Sequence, residues 1–196
     1  MFRLFLAGLD AAVASILVIP VFLILNRFSF HSFKKTFFYT VLAIYLAGVY
    51  LVAGLPNVTY IRFEPNINPV PFLDLFSDLS AAVLNVVLFI PLGFLSTILW
   101  KSFRIGRKNL MLGFGLSLAV EFLQLFTFRA TDVNDLITNT LGTLIGWWIA
   151  SAVFKYFPGI RCNGSKKEFI IVFGTVLCIM FFVHPFIAPA IWNLFC

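Results

Sequence analysis

Six long apolar runs constrain the fold of this chain more than any other feature of its sequence. They lie near Leu4–Leu25, Phe37–Leu55, Ser80–Trp100, Leu110–Phe128, Leu136–Phe154 and Phe169–Ala188. A helix of about 20 apolar residues crosses the hydrocarbon core of a bilayer. Of the 196 residues, 61% are hydrophobic and 11% are charged, whereas about a quarter are charged in soluble domains. The sequence therefore predicts an all-α, polytopic transmembrane helix bundle with about six spans.

The basic residues predict the orientation of this bundle. Eleven of the 14 lysines and arginines fall in three alternate loops, at residues 26–36, 101–109 and 155–168. The positive-inside rule assigns these loops to the cytoplasm, and both termini are then extracytoplasmic. Because the charges are spread over short loops rather than gathered in one patch, nucleic acid is not an expected partner. The chain has no repeat or low-complexity tract, so we expect one membrane domain over residues 1–196.

A second group of residues is polar but lies within or beside the apolar runs. An ionisable residue inside a membrane is costly, and it is by default a candidate functional residue. The candidates in the fourth and fifth runs are Glu121, Gln124, Arg129, Asp132, Asp135 and Asn139. Glu121 and Gln124 are three residues apart and share one face of a helix. Arg129 stands where that helix is expected to leave the lipid.

The depth of these residues in the membrane follows from the helical rise of about 1.5 Å per residue. Glu121, Asn139 and Asn85, which lie on three different runs, each come roughly 10–12 Å below the outer surface. The aspartates at 132 and 135 and the arginine at 129 form a rim above them. This convergence predicts a polar cavity that opens to the outside of the cell, and the loop at 56–79 is a candidate lid over it.

Each of these residues also has a structural interpretation. Asp132 and Asp135 match a helix N-cap followed by an acid in the first turn. Asn85 and Asn139 are suited to interhelical hydrogen bonds. Arg129 is suited to reaching the lipid headgroups or pairing with the aspartates. Glu121 is the hardest to explain structurally, because a lone carboxylate at that depth costs a few kcal/mol.

Helix packing is the expected role of four further residues. Gly142 and Gly146 are one turn apart and allow a neighbouring helix to approach closely. Pro91 and Gly93 lie in the third run, where the proline removes one intrahelical hydrogen bond and is expected to kink the helix. Three widely spaced cysteines provide no metal-ligand or redox motif.

Three motifs in this order resemble the VanZ-like family. They are Asn85 to Gly93 with Pro91 between them, Glu121-x-x-Gln124, and Arg129-x-x-Asp132-x-x-Asp135-x-x-x-Asn139-x-x-Gly142-x-x-x-Gly146. The similarity covers residues 37–154. It leaves 1–36 as an additional N-terminal helix and cytoplasmic loop, and 155–196 as a cytoplasmic loop and C-terminal helix. The resemblance implies a multi-pass protein of the bacterial plasma membrane, in a family named for a member linked to resistance to the glycopeptide teicoplanin.

The residues and the resemblance together leave two main interpretations. In the preferred one, the cavity binds a membrane lipid, a peptidoglycan precursor or a glycopeptide, and it needs no cofactor. Arg129 holds a phosphate or carboxylate, and Asn85, Gln124 and Asn139 supply hydrogen bonds.

The alternative is an intramembrane hydrolase or transferase that acts on a lipid-linked envelope substrate. In that case Glu121 is the general acid or base, and Asp132 and Asp135 hold a divalent cation. A transporter is a third possibility, but the sequence has no clear internal repeat of the kind that many transporters have.

Overall fold

The structure is a computed structural model that describes residues 2–63, 66–68, 79–127, 129 and 131–195. Regular structure in these residues is almost entirely helical, which confirms the predicted all-α bundle. Half of the candidate lid at 56–79 lies outside the described residues, so the structure does not test it.

The helices follow the predicted apolar runs closely. They are α1 Phe2–Leu25, α2 Phe33–Val52, α3 Leu79–Leu99, α4 Gly106–Gln124, α5 Val133–Tyr156, α6 Lys166–Cys178 and α7 His184–Phe195. Short helical turns at Asn26–Phe30, Lys101–Arg104, Pro158–Ile160 and Ile179–Val183 follow or join them. Two strands of two residues each, β1 Ile67–Asn68 and β2 Thr131–Asp132, pair in parallel.

Five of the described helical segments are long and apolar enough to cross a membrane. They are Asp10–Phe30, Phe33–Val52, Leu79–Leu99, Val133–Tyr156 and Lys166–Asn193. Helix α4 is not among them, although it has 19 residues. It carries Arg107 and Lys108 at its start and Glu121 near its end. The fourth predicted span is therefore helical but more polar than the others.

The chain divides into two compact units, each with its own packing. The first unit comprises Met1–Ile61 and Ser165–Cys196. In it, α1 packs on α2 and α7, and α2 packs on α6. The second unit is Arg62–Gly164 and contains α3, α4 and α5. The sequence predicted one domain with a core at 37–154. Helix α2, which lies within that predicted core, belongs to the first unit.

Polar side chains fix the helix ends of the first unit. The Oδ1 atom of Asn26 accepts hydrogen bonds from the Ser32 backbone N–H at 3.0 Å and from the Thr36 hydroxyl at 2.9 Å, and it thereby closes the turn between α1 and α2. The ammonium group of Lys35 lies 2.8 Å from Glu168 at the start of α6. These bonds join the ends of α1, α2 and α6 that the basic loops assign to the cytoplasmic side.

Helices α3 and α5 of the second unit pack closely because glycines lie between them. A Cβ atom at Gly142 would collide with the carbonyl group of Val86, and one at Gly146 would collide with that of Ile90. A Cβ at Gly93, on α3, would likewise collide with a backbone carbonyl of α5. All three glycines therefore lie where the backbones of α3 and α5 approach too closely for a side chain.

The proline in the third run does not interrupt its helix. Helix α3 continues from Leu79 to Leu99 with Pro91 inside it. Near the end of α3, the hydroxyls of Ser96 and Thr97 accept hydrogen bonds of 3.0 Å and 2.8 Å from the side-chain amide of Asn109, a fully buried residue of α4. These bonds join the start of α4 to the end of α3.

Candidate functional site

Glu121 lies at the centre of the candidate site. The residue is near the end of α4 and is only 5% exposed. Its Oε2 atom accepts a hydrogen bond of 3.0 Å from the backbone N–H of Asp132, and its carbonyl oxygen accepts one of 3.1 Å from the Thr131 hydroxyl. Within the described residues, no lysine or arginine forms an ion pair with Glu121. The buried carboxyl group is therefore held against the start of α5 by one uncharged donor, and the backbone carbonyl of the same residue by another.

Asp132 is the N-cap of α5, as the structural interpretation of the sequence predicted. Its Oδ1 atom accepts a hydrogen bond of 2.8 Å from the backbone N–H of Asn134. Its Oδ2 atom accepts a second bond, of 3.3 Å, from the side-chain amide of Asn68. Both carboxylate oxygens of the cap residue thus have protein donors.

The short parallel pairing of β1 and β2 brings Asn68 to this place. Asn68 stands opposite Asp132 in the pairing, and the backbone N–H of Thr131 donates to the carbonyl of Asn66 at 2.8 Å. Further back, the N–H of Arg62 donates to the carbonyl of Phe126 at 3.0 Å. The described residues Arg62, Asn66 and Asn68 therefore lie along the connection between α4 and α5.

The two asparagines predicted to reach the site make interhelical hydrogen bonds. The amide nitrogen of Asn85 donates to Oδ1 of Asp135 at 2.7 Å and joins α3 to α5. The amide nitrogen of Asn139 donates to the hydroxyl of Ser117 at 3.0 Å and joins α5 to α4. Asn139 is 4% exposed, and its Oδ1 atom has no hydrogen-bond partner within the described residues. The side-chain amide of Asn139 therefore has a buried oxygen that can still accept a hydrogen bond, next to a nitrogen that already donates one.

Gln124 and Arg129 lie in different surroundings. Gln124 is buried on α4, one turn after Glu121, as their spacing predicted. Arg129 is exposed, and its backbone N–H donates to the Thr127 hydroxyl at 3.3 Å. The roles of these two residues as ligand contacts remain predictions.

A divalent cation at Asp132 and Asp135 also remains a prediction. The described residues contain no group of three or more histidine, cysteine, aspartate or glutamate side chains arranged to hold a metal ion. Calcium and magnesium take six or more oxygen ligands, some of them carbonyl groups or waters. Each aspartate accepts a hydrogen bond from an asparagine side-chain amide, at Oδ2 of Asp132 and at Oδ1 of Asp135.

We call the hydrogen-bonded residues described above the cluster around Glu121; they are Asn68, Asn85, Ser117, Glu121, Thr131, Asp132, Asp135 and Asn139. Three of them were not identified from the sequence. Ser117 precedes Glu121 by one turn and so shares its face of α4, a spacing from which it was predictable. Thr131 precedes the predicted cap and was overlooked. Asn68 lies in an irregular segment, where no periodic pattern indicates which residue reaches the site.

The comparison with known families decides the affiliation of the chain. The sequence model of the VanZ/LLP1 family matches residues 12–155, which is more than half of the chain. The chain belongs to the VanZ/LLP1 family. It is also similar to Protein VanZ of Enterococcus faecium, with 32% identity over 102 residues. That match covers 51% of this chain and 60% of the Enterococcus protein. No solved structure matches significantly.

The VanZ/LLP1 match confirms the resemblance inferred from the three motifs and extends it. It begins at residue 12, inside α1, whereas the motifs indicated a start at residue 37. The family region therefore includes most of the first helix and draws on both compact units. All the residues of the cluster around Glu121 lie within the matched range.

Proposed function

We propose that this VanZ/LLP1 protein is a multi-pass protein of the bacterial plasma membrane that binds a lipid-linked or glycopeptide-related ligand at the cluster around Glu121. The observation that carries the proposal is the buried Glu121 carboxyl group, which has no cationic partner within the described residues. A carboxyl group buried in this way is costly, and its retention needs a reason beyond packing. Binding a ligand is such a reason.

The balance of donors and acceptors indicates the chemistry of the ligand. Asn85 and Asn139 each donate one amide hydrogen bond within the protein, whereas the carboxyl groups and the Oδ1 atom of Asn139 are acceptors. The carboxyl groups of Asp132 and Asp135 lie close enough to Glu121 to interact with it electrostatically. An acceptor-rich cluster favours hydroxyl, amide N–H or ammonium groups over a bare phosphate.

Sugar and peptide groups of this kind occur in peptidoglycan precursors and in glycopeptide antibiotics. The phosphate of a lipid-linked precursor would suit Arg129, which is exposed, whereas Glu121 is buried. We therefore favour a ligand whose sugar or peptide part contacts the cluster and whose anionic part contacts Arg129. A role in glycopeptide resistance, including resistance to teicoplanin, follows if such a ligand is sequestered or altered.

An intramembrane enzyme is the second candidate function, and the same carboxyl group favours it. A buried Glu121 within reach of a bound headgroup is placed to act as a general acid or base. Asp132 and Asp135 would then hold a divalent cation through carboxylate oxygens, which also accept the hydrogen bonds from Asn68 and Asn85.

Binding and turnover can be separated in one experiment on the purified full-length chain in nanodiscs. Two probes are used, teicoplanin and a polyprenyl diphosphate that carries a disaccharide pentapeptide. We expect saturable binding of one probe and recovery of that probe intact. Recovery of a cleaved or transferred product would favour the enzyme. The absence of saturable binding for both probes would contradict the proposed function.

A further inference from the structure

A second feature of the second unit is not explained by the cluster around Glu121. Two guanidinium groups share one aromatic ring near the end of α5. The Cζ atom of Arg161 lies 4.6 Å from the centroid of the Phe154 ring, and that of Arg104 lies 5.7 Å from it. Phe154 follows Asp132 by 22 residues, which is roughly 33 Å of helix. The two features are therefore at opposite ends of α5.

Hydrogen bonds to the protein hold Arg104 in place. Its Nη2 atom donates to the carbonyl of Cys162 at 2.6 Å and lies 3.4 Å from Oδ1 of Asn163. Its Nε atom donates to the carbonyl of Thr97 at 3.4 Å. The guanidinium is thus fixed between the end of α3 and the loop that follows α5.

That loop is itself fixed by backbone hydrogen bonds. The N–H of Cys162 donates to the carbonyl of Ile98, and the N–H of Gly164 donates to that of Leu99, both at 2.8 Å. Arg161 belongs to the same segment, and it is exposed. The backbone therefore holds the loop that carries Arg161 at the end of α3, to which Arg104 is also bonded.

The charged residues close to this pair in the sequence are all positive. Residues 100–109 and 155–164 contain no aspartate or glutamate. They contain six basic residues, namely Lys101, Arg104, Arg107, Lys108, Lys155 and Arg161. Burial, and after it the charge of Arg161, lower the pKa of Arg104. The aromatic ring attracts both cations, but it supplies no negative charge to offset their mutual repulsion.

We propose that Arg104 and Arg161 together bind the phosphate group of an anionic phospholipid. Guanidinium N–H groups form a planar fork that matches the geometry of a phosphate. In Arg104, Nε and Nη2 bond to the protein, so Nη1 is the group that would contact the phosphate beside Arg161. Ile105, Tyr156 and Phe157 are next to the pair in sequence and are 54%, 79% and 65% exposed. These large apolar side chains suit the glycerol and acyl part of a lipid, whereas free phosphate would not contact them. We therefore favour a lipid as the source of the phosphate.

The proposal is tested by native mass spectrometry of the purified full-length chain in detergent. The probes are phosphatidylglycerol and phosphatidylcholine with the same acyl chains. We expect phosphatidylglycerol to bind more tightly, and Arg161→Gln to weaken its binding by roughly tenfold. Arg161→Lys keeps the charge but loses the fork, so its binding should be intermediate. Arg107→Gln removes one charge from the same surface and should change binding by less than about twofold.

Three results would overturn the proposal. The two lipids binding equally well would show that the phosphatidylglycerol headgroup is not selected. Equal losses in Arg161→Gln and Arg107→Gln would show that only the diffuse positive charge matters. The third result has two parts, namely that millimolar inorganic phosphate displaces phosphatidylglycerol and that phosphate itself binds in a way that depends on Arg161. Together they would identify free phosphate as the ligand and contradict the lipid assignment. Thermal unfolding of each variant confirms that the comparison is made between folded proteins.

Discussion

The backbone N–H of Asp132 donates a hydrogen bond of 3.0 Å to the carboxyl group of Glu121. This bond joins the last turn of α4 to the residue that caps α5. The helix cap and the buried carboxyl group are therefore parts of one arrangement, and the Asn68 amide extends it to the preceding segment. Structural and ligand-binding roles must consequently be separated by experiments that change charge without changing shape.

Substitutions at Asp132 separate the cap from the charge. Asp132→Asn keeps an oxygen for the Asn134 N–H, so the melting temperature in detergent should change little. Asp132→Ala removes the cap and should destabilise the protein by about 1 kcal/mol. If the negative charge contributes to the ligand site, Asp132→Asn should also weaken probe binding while the protein stays folded. Wild-type binding by Asp132→Asn would reduce this residue to a helix cap.

The bond between Asn85 and Asp135 should couple α3 to α5. A double-mutant cycle with Asn85→Ala and Asp135→Ala isolates this interaction. We expect a coupling free energy of about 1 kcal/mol, which is within the range for interhelical polar bonds in membranes. Unfolding in a mixed-micelle titration measures it. Additive effects of the two substitutions would mean that the bond contributes nothing to the stability of the helix pair.

Gly146 allows α5 to approach α3, and replacing it should be costly. A methyl group there meets the carbonyl of Ile90, so Gly146→Ala should destabilise the protein by roughly 2 kcal/mol. Gly115 on α4 offers a matched control, because a Cβ atom there has nothing within 4 Å. Gly115→Ala should be neutral or slightly stabilising. Equal melting temperatures for the two variants would contradict the close packing of α3 on α5.

Because α4 is more polar than the other predicted spans, cysteine labelling is needed to test whether it crosses the membrane. Single cysteines are introduced at Ser102, Gly159 and Thr59 in a background without the native cysteines. Intact cells are then treated with an impermeant thiol reagent. We expect labelling only at Thr59, since the basic loops at 101–109 and 155–168 are predicted to be cytoplasmic.

Positions 102 and 159, which are both predicted to be cytoplasmic, show whether α4 crosses the membrane. If α4 and α5 both cross, the cysteines at 102 and 159 lie on the same side. Labelling of one and not the other would show that α4 does not cross, and the termini would then lie on opposite sides. Labelling of both, with Thr59 protected, would reverse the predicted orientation.

Much of this arrangement was predictable from the sequence, because the features concerned have a period or a short-range chemical signal. The apolar runs predicted the helices, the spacing of Asp132 and Asp135 predicted the start of α5, and Gly142 with Gly146 predicted close packing. These signals depend on neighbours within one or two turns. They were therefore visible without knowledge of the tertiary fold.

The remaining features depend on contacts between distant segments. The pairing of Asn68 with Asp132 involves residues 64 apart, in strands too short to have a pattern. The partners of Asn85 and Asn139 were unknown until the helices were placed, although interhelical bonds were one of the two roles that the sequence indicated for them, beside ligand binding. The stacking of Arg161 on Phe154 was likewise hidden, because a basic loop at a membrane surface is ordinarily explained by topology alone.

The most direct test of the central claim is the effect of Glu121→Gln on binding of the lipid-linked probe or teicoplanin. Glutamine keeps an oxygen for the Asp132 N–H but removes the charge, so the fold should survive. Glu168→Gln is the matched control, since Glu168 is also buried but lies in the first unit. We predict that Glu121→Gln weakens binding by at least roughly tenfold at an unchanged melting temperature, whereas Glu168→Gln binds as the wild type does. Wild-type affinity in a folded Glu121→Gln variant would contradict a ligand site at Glu121.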